Sequence, residues 1–257
     1  MLDGKVLKEF LDEKVVQYNN RSFIDTDPIQ IPHQFSVKED IEIAGFLVAT
    51  LAWGQRKTII NKGKKLMELM GNSPYDFILN HSESDIEKLS DFTHRTFNGI
   101  DCQFYIKSLH NIYTNHSGLE TIFTLNQSNT QMHESIVNFR TIFFEIEHWI
   151  RTRKHLADPS TGAAAKRMHM FLRWMVRHDK NGVDFGLWKN IPMSKLSCPL
   201  DVHTGNVARS LGLIDRRQDD IKTVNLLDKK LREFDSDDPV KYDFALFGLG
   251  VHEEFRL

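Results

Sequence analysis

Apolar residues recur along this chain at spacings of three and four, the period that places them on one face of a helix. Leu7, Phe10, Leu11 and Val15 form the first such stripe. Ile43, Phe46, Leu47, Thr50 and Leu51 form a second, which ends near Gly54. A third, through Ile59, Leu66, Met67 and Met70, runs into Gly71-Asn72-Ser73-Pro74, a helix stop followed by a turn. The same spacing predicts helices over 104–113, 135–150, 163–176, 202–211, 219–234 and 240–249. Strand signals are scarce, with no alternating run bounded by hairpin dipeptides. Residues 20–36, 91–101 and 178–199 lack a period. The last of these carries Asp179-Lys180-Asn181-Gly182 and Ile191-Pro192, so it separates two helices. No internal repeat and no low-complexity segment is present. The pattern predicts an all-α protein of medium helices on short links.

With 257 residues the chain can form one large domain or two small ones. A content of 40% hydrophobic and 26% charged residues is that of a soluble globular protein. The longest apolar stretch, 41–53, contains Glu42 and falls short of the roughly 18 residues that cross a bilayer, so no membrane association is expected. Met1-Leu2-Asp3-Gly4-Lys5 lacks a signal-peptide core, which makes the cytoplasm the expected compartment. Cys102 and Cys198 are too few for a disulfide framework or a four-cysteine metal site and are expected to be reduced, buried thiols.

The net charge of −2 argues against a surface that coats nucleic acid broadly, but leaves room for a local basic face. Residues 151–181 hold Arg151, Arg153, Lys154, Lys166, Arg167, Arg173, Arg177 and Lys180 against Asp158 and Asp179 alone. Residues 54–65 add Arg56, Lys57, Lys62, Lys64 and Lys65 with no acid. A charge run is ordinarily a solvated helix face. Two such runs flanking one candidate site point to a polyanionic partner.

Two helix starts carry that candidate chemistry. In Thr161-Gly162-Ala163-Ala164-Ala165-Lys166, Ser160 or Thr161 is a natural cap and Gly162 permits a tight turn. Exposed amides in a first helical turn can hold a phosphate. An amine there faces the positive end of the helix dipole, which favours its neutral, nucleophilic form. Equally, Lys166 and Arg167 can be plain phosphate or solvent contacts. In Pro199-Leu200-Asp201-Val202-His203, 35 residues on, Asp201 is a favoured N-cap, and capping alone accounts for it. A carboxylate held at a helix start also stays ionised and fixed, as a group that stabilises a developing cation must. His203 can orient Asp201 or lie idle at the surface. The histidines show no zinc-ligand spacing, and neither a nucleophile elbow nor a Walker loop occurs, so no metal or cofactor is expected.

Gly162-x-Ala164-x-Lys166 followed by Pro199-x-Asp201-x-His203 resembles the hairpin lysine and downstream aspartate of the helix-hairpin-helix DNA glycosylase superfamily, of which endonuclease III is the best-known shape. Ala49-Thr50-Leu51-Ala52-Trp53-Gly54-Gln55 is similar to that superfamily's helix ending in a glutamine that fills the gap left by an extruded nucleotide. The wide lysine-to-aspartate interval is more similar to the archaeal 8-oxoguanine glycosylase branch. The runs 166–177 and 242–250 look like an uncharacterised bacterial branch of the same superfamily. The resemblance covers about 40–70 and 155–212 as motifs. Ala164 stands in place of the second hairpin glycine, and the cysteine cluster that binds iron and sulfur in some members is absent.

The resemblance implies two helical lobes with a helix-hairpin-helix motif and a cleft between them, one lobe over 36–178 with Lys166, the other joining 1–35 to 179–257 with Asp201. It implies a base-excision repair glycosylase with AP lyase activity, acting as a monomer on double-stranded DNA that contains damaged, notably oxidised purine, bases, and nucleoid-associated when bound. Lys166 would be the nucleophile and Asp201 the essential carboxylate. Gln55 would enter the duplex, with Arg56, Lys57, Thr161, Gly162, Ala164 and Arg167 gripping its backbone. Trp53, Trp174 and His203 are candidates for the base pocket. Two other readings stand beside it: a non-catalytic damage-recognition protein on the same fold, and a helical interaction protein without DNA affinity.

Overall fold

A computed structural model describes residues 3–125, 132–253 and 255. In chain order the helices are α1 (Gly4–Tyr18), α2 (Ser22–Thr26), α3 (Lys38–Leu51), α4 (Arg56–Leu69), α5 (Pro74–Asn80), α6 (Glu83–Glu87), α7 (Gly99–Asn115), α8 (Leu119–Thr124), α9 (His133–Phe143), α10 (Lys166–Val176), α11 (Val202–Ser210), α12 (Ile221–Phe234) and α13 (Tyr242–His252). Short 3₁₀ turns fill several links. Among the described residues no strand forms, and the only pairings of that kind are isolated bridges. The fold is helical, as the periodicity predicts. No described helix is long and apolar enough to cross a membrane.

The chain divides into two compact units. One gathers Met1–Asp25, Ser128–His133 and Asp158–Leu257, the other Thr26–Gln127 and Glu134–Ala157. This differs from the division expected at 178, which separated Lys166 from Asp201: both belong to the first unit. The reason lies in α10. Its buried arginines are matched by acids at 179, 184, 238 and 243, and the turn before it pairs with Asp220, all within that unit.

The core of the first unit joins the apolar faces of α1, α11, α12 and α13. Leu7 and Leu11 meet Val207, Ala208, Val224, Leu227, Leu231, Leu246 and Leu249 in one buried cluster. Full burial of each Val or Leu side chain among them stabilises the fold by about 1.5–3 kcal/mol. The expected stripes of α1 and α12 therefore face this core.

In the second unit α3 is buried along all of Ile41–Leu51, so the stretch that reads as near-continuous apolar sequence is an internal helix. Aromatic rings surround it: Phe46 packs on Tyr105, Phe139 and Phe143, with Tyr105 and Phe143 centroids 4.7 Å apart. Glu42 within it accepts a hydrogen bond from the Tyr113 hydroxyl at 2.8 Å. A second internal acid, Asp101, is fully buried in the first turn of α7 and accepts from Arg151 Nη1 (2.8 Å) and Thr152 Oγ1 (2.7 Å). It also contacts His155 Nε2 (3.1 Å). Asp101 thereby fixes the 3₁₀ segment Ile150–His155 to α7. The helix expected to reach 150 ends at Phe143, and the braced turn begins only at Ile150.

Candidate active site

The approach to Lys166 is built from two left-handed residues. Asp158 caps the 3₁₀ turn Pro159–Thr161 by accepting from the Ser160 amide at 3.0 Å. Gly162, at φ 97°, ends that turn in a conformation that disfavours any side chain. Ala163 then forms an antiparallel bridge with Asp220, and Ile221 N donates to Gly162 O at 3.0 Å. Ala165 is also left-handed, at φ 48°, although it carries a Cβ. Its carbonyl accepts the first helical bonds, from Met168 N and His169 N, so Lys166 is the first residue of α10. Ser160 and Thr161, expected as caps of this helix, belong to the preceding turn instead. The bridge to Asp220 keeps 163 extended and delays the helix to Lys166. Ala164 turns its methyl onto the unit's core, which gives the alanine at that position a packing role.

Asp201 is the N-cap of α11, and its two oxygens have separate partners. Oδ1 accepts from the Thr204 amide at 3.0 Å, while Oδ2 accepts from Lys166 Nζ at 2.5 Å. The capping and pairing readings of this residue thus coexist, one on each oxygen. The pair is partly open to solvent, with side-chain exposures of 31% for Lys166 and 21% for Asp201. Burial alone would raise the Asp201 pKa, but the Lys166 charge and hydrogen bond, the Thr204 amide and the nearby His203 together hold it below the usual carboxylate range. The amine expected to stand neutral at the helix start is met here in an ion pair.

Behind the pair lies a buried charge network absent from the expected site. Arg173, two turns along α10 from Lys166, donates to Asp243 Oδ2 and, from Nε at 3.2 Å, to Asp184 Oδ1. Arg177 reaches Asp184 (3.0 Å), Asp179 (2.8 Å) and Asp238 (3.1 Å). Asp243 also accepts from Cys198 Sγ at 3.8 Å, three residues before Asp201, so it touches both arms that carry the pair. The Cys198 amide donates to Asp228 at 2.9 Å. Burial pushes the carboxyls of Asp228 and Asp243 up to about 6, against the pull of their cationic neighbours. Two arginines one turn apart on an apolar helix face were the available signal in the sequence, since buried guanidinium groups demand acids.

This network corrects the basic face expected over 151–181. Arg173 and Arg177 are 3% and 2% exposed and neutralised internally, and Arg151 is bound to Asp101. The segment is not a continuous solvated stripe. Trp174, expected near a base pocket, is fully buried core, as is Trp188. His203 is exposed and makes no hydrogen bond to Asp201 among the described residues. Thr161 is exposed, and Gly162, Ala164 and Arg167 are half-buried around the turn.

Gln55, Arg56, Lys57 and Trp53 belong to the other unit. Gln55 is the exposed N-cap of α4 and uses its side chain for no capping bond, with Arg56 and Lys57 in the first turn. Trp53 is half-buried under the Arg95 guanidinium, 4.5 Å from its ring centre.

One further group on α10 makes a measurable prediction. His169 is 1% exposed, neither ring nitrogen has a hydrogen-bond partner among the described residues, and its ring stands edge-on to His133 at 5.2 Å. Burial first, and His133 second, lower its pKa from 6.5 to about 3. With the folded value depressed, protons bind the unfolded chain first, so this group's contribution is full above pH 6.5 and is lost as pH falls towards 3. Asp228 and Asp243, raised to about 6, act oppositely and gain as pH falls from 6 to 3.8. Urea titrations of wild type and His169→Leu separate the two. Between pH 6.5 and 5 the wild type should lose about 2 kcal/mol relative to the variant. Parallel pH profiles would remove His169 as the cause.

No curated protein and no solved structure matches the chain. A family model does, over residues 27–252, and the chain accordingly belongs to the family described as protein of unknown function (DUF2400).

Proposed function

We propose that the chain is a DNA glycosylase with AP lyase activity that removes a damaged base through a Schiff base on Lys166. The observation that supports this most is the contact itself. A lysine at the first position of one helix and an aspartate at the cap of another, far apart in sequence, meet at 2.5 Å and remain partly open to solvent.

In this reading a target nucleotide is extruded from the duplex, at a cost of a few kcal/mol that damage lowers. The Lys166 ammonium gives up its proton, with Asp201 Oδ2 the acceptor already in contact. The free amine attacks the sugar C1′, the base departs with the glycosidic electron pair and takes up the proton held by Asp201, and the carboxylate so restored faces the cationic sugar. β-Elimination from the resulting imine nicks the strand. Oxidised purines are the substrate class implied by the resemblance of the lysine-to-aspartate interval to that of the archaeal 8-oxoguanine glycosylase branch. The turn at 160–165 and the open start of α4 are the proposed phosphate contacts, so binding should weaken steeply with salt.

One feature favours a different reading. The ion pair is already satisfied and fastens the first residue of α10 to the cap of α11, which a purely structural latch would also do. Borohydride trapping on an oxidised-purine duplex decides between them. Wild type should form a covalent adduct that Lys166→Gln abolishes. No adduct, or an adduct undiminished in the variant, would leave a latch. A mobility shift across salt concentrations then separates a DNA-binding protein from one with no DNA affinity.

A further inference from the structure

We infer that the turn at Trp149 is a separate nucleic-acid contact, a stacking platform for an unpaired base. This contact is independent of the lysine chemistry.

The chain's four tryptophans occupy very different places. Trp174 and Trp188 are fully buried, and Trp53 is half-buried beneath Arg95. Trp149 is 68% exposed, and its neighbour Ile150 is 83% exposed, the largest value among the exposed apolar residues. Ile100, beside Asp101 in the first turn of α7, is 44% exposed. Trp149 and Ile150 are consecutive and both stand in water, and the next residue, Arg151, is bound to Asp101 beside Ile100.

The exposure is imposed by structure. Trp149 is the N-cap of the 3₁₀ segment, and the residues immediately after it are clamped: Arg151 Nη1 to Asp101 and Asn98, Arg151 Nη2 to the Thr96 carbonyl, and Thr152 and His155 to Asp101. The buried carboxylate thus fixes the backbone that holds Trp149 outward, and a platform fixed in advance binds without paying to order itself.

Charge selects the occupant. Residues 148–155 contain Arg151, Arg153 and Lys154 and no acid. Arg151 is consumed by Asp101, but Arg153 and Lys154 are exposed, and Lys154 has no ion pair among the described residues. Arg153 donates to His148, the residue before Trp149, and lies 5.6 Å over the Phe144 ring. Of the acids just before Trp149 in sequence, Glu145 is engaged by His116 at 2.6 Å and by Asn111, and Glu147 has no ion pair among the described residues. An exposed indole flanked by cations is the combination that takes a base face and its phosphates together, and it is tolerant of sequence. An apolar protein surface would use the tryptophan and isoleucine but not the cations.

Titration of the full chain with a short labelled oligothymidine, and with a blunt duplex, tests this. Wild type should bind the single strand, with quenching of tryptophan emission. Trp149→Ala should weaken binding about tenfold, and Trp149→Phe should restore most of it. The side chain is exposed, so unchanged circular dichroism is expected in both variants. Wild-type affinity in Trp149→Ala, no binding of oligothymidine by wild type, or self-association that Trp149→Ala abolishes would each overturn the proposal. Trp149-dependent binding without borohydride trapping would refute only the glycosylase reading, and trapping with an inert Trp149→Ala would refute only this one.

Discussion

Arg173→Met is expected to cost about 3–5 kcal/mol of folding stability, the range for removing one partner of a buried ion pair. Arg173 is 3% exposed, and its guanidinium lies 4.4 Å over the Phe244 ring as well as between Asp184 and Asp243. Methionine fills much of the volume but leaves two carboxylates without that cation. Asp184 retains Arg177, whereas among the described residues Asp243 keeps only the weak thiol of Cys198 as a hydrogen-bond donor, with the Lys166 charge as its remaining cationic influence. Asp243, already raised to about 6 by burial, will then hold its proton more firmly. Its folded pKa lies above the unfolded one, so the variant should recover stability as pH falls and be weakest above pH 7. Chemical denaturation at pH 8 and pH 5.5 reads both effects. A loss below about 1 kcal/mol at pH 8 would mean that the network contributes little. Arg173→Met combined with Asp243→Leu should regain part of the loss, since replacing both partners is far less costly than orphaning one.

Gly99→Ala should destabilise the fold by about 3 kcal/mol and lower the melting temperature by about 10 °C. A Cβ at this position would lie 1.9 Å from the Ser90 carbonyl oxygen, and that neighbour is backbone, which cannot rotate away. The φ of Gly99 is not positive, so the penalty is steric and not conformational. Gly99 sits between Asn98, the cap of α7, and Asp101, the acid that fixes the Trp149 turn. The displacement should therefore also loosen that turn. A melting temperature within 2 °C of wild type, read by calorimetry, would show that the 90–99 segment yields freely.

Much of the helical fold was legible in the sequence. The stripes of α1, α3 and α4 and the stop at 71–74 have the length and period that identify a helix. The short helices α5, α6 and α8 went unread because five to seven residues do not sample the period. The start of α10 was misplaced by three residues. Its position depends on Asp220, far along the chain, which holds Ala163 extended, and no local propensity encodes that. The same distinction governs the site. Lys166 and Asp201, which the structure brings into contact, could be singled out as candidates because each stands at a helix start, a local feature. Asp243 could not, because its partner Arg173 is 70 residues away and pairing at that range leaves no trace in spacing. The tryptophans divide likewise. Composition marks Trp53, Trp149, Trp174 and Trp188 alike, and only packing separates the two internal ones from the one standing in water.

Cys102 and Cys198, both at 0% exposure with thiols pushed up by burial, make the folded surface chemically silent towards thiol reagents. A single cysteine introduced at a chosen position would then be the only group such reagents find. Lys166→Cys would accept an aminoethyl group from bromoethylamine and become a lysine analogue in which sulfur replaces one methylene. The two buried thiols thus leave the chain ready for chemical restoration of the amine on which its proposed chemistry turns, without first replacing any native residue but Lys166.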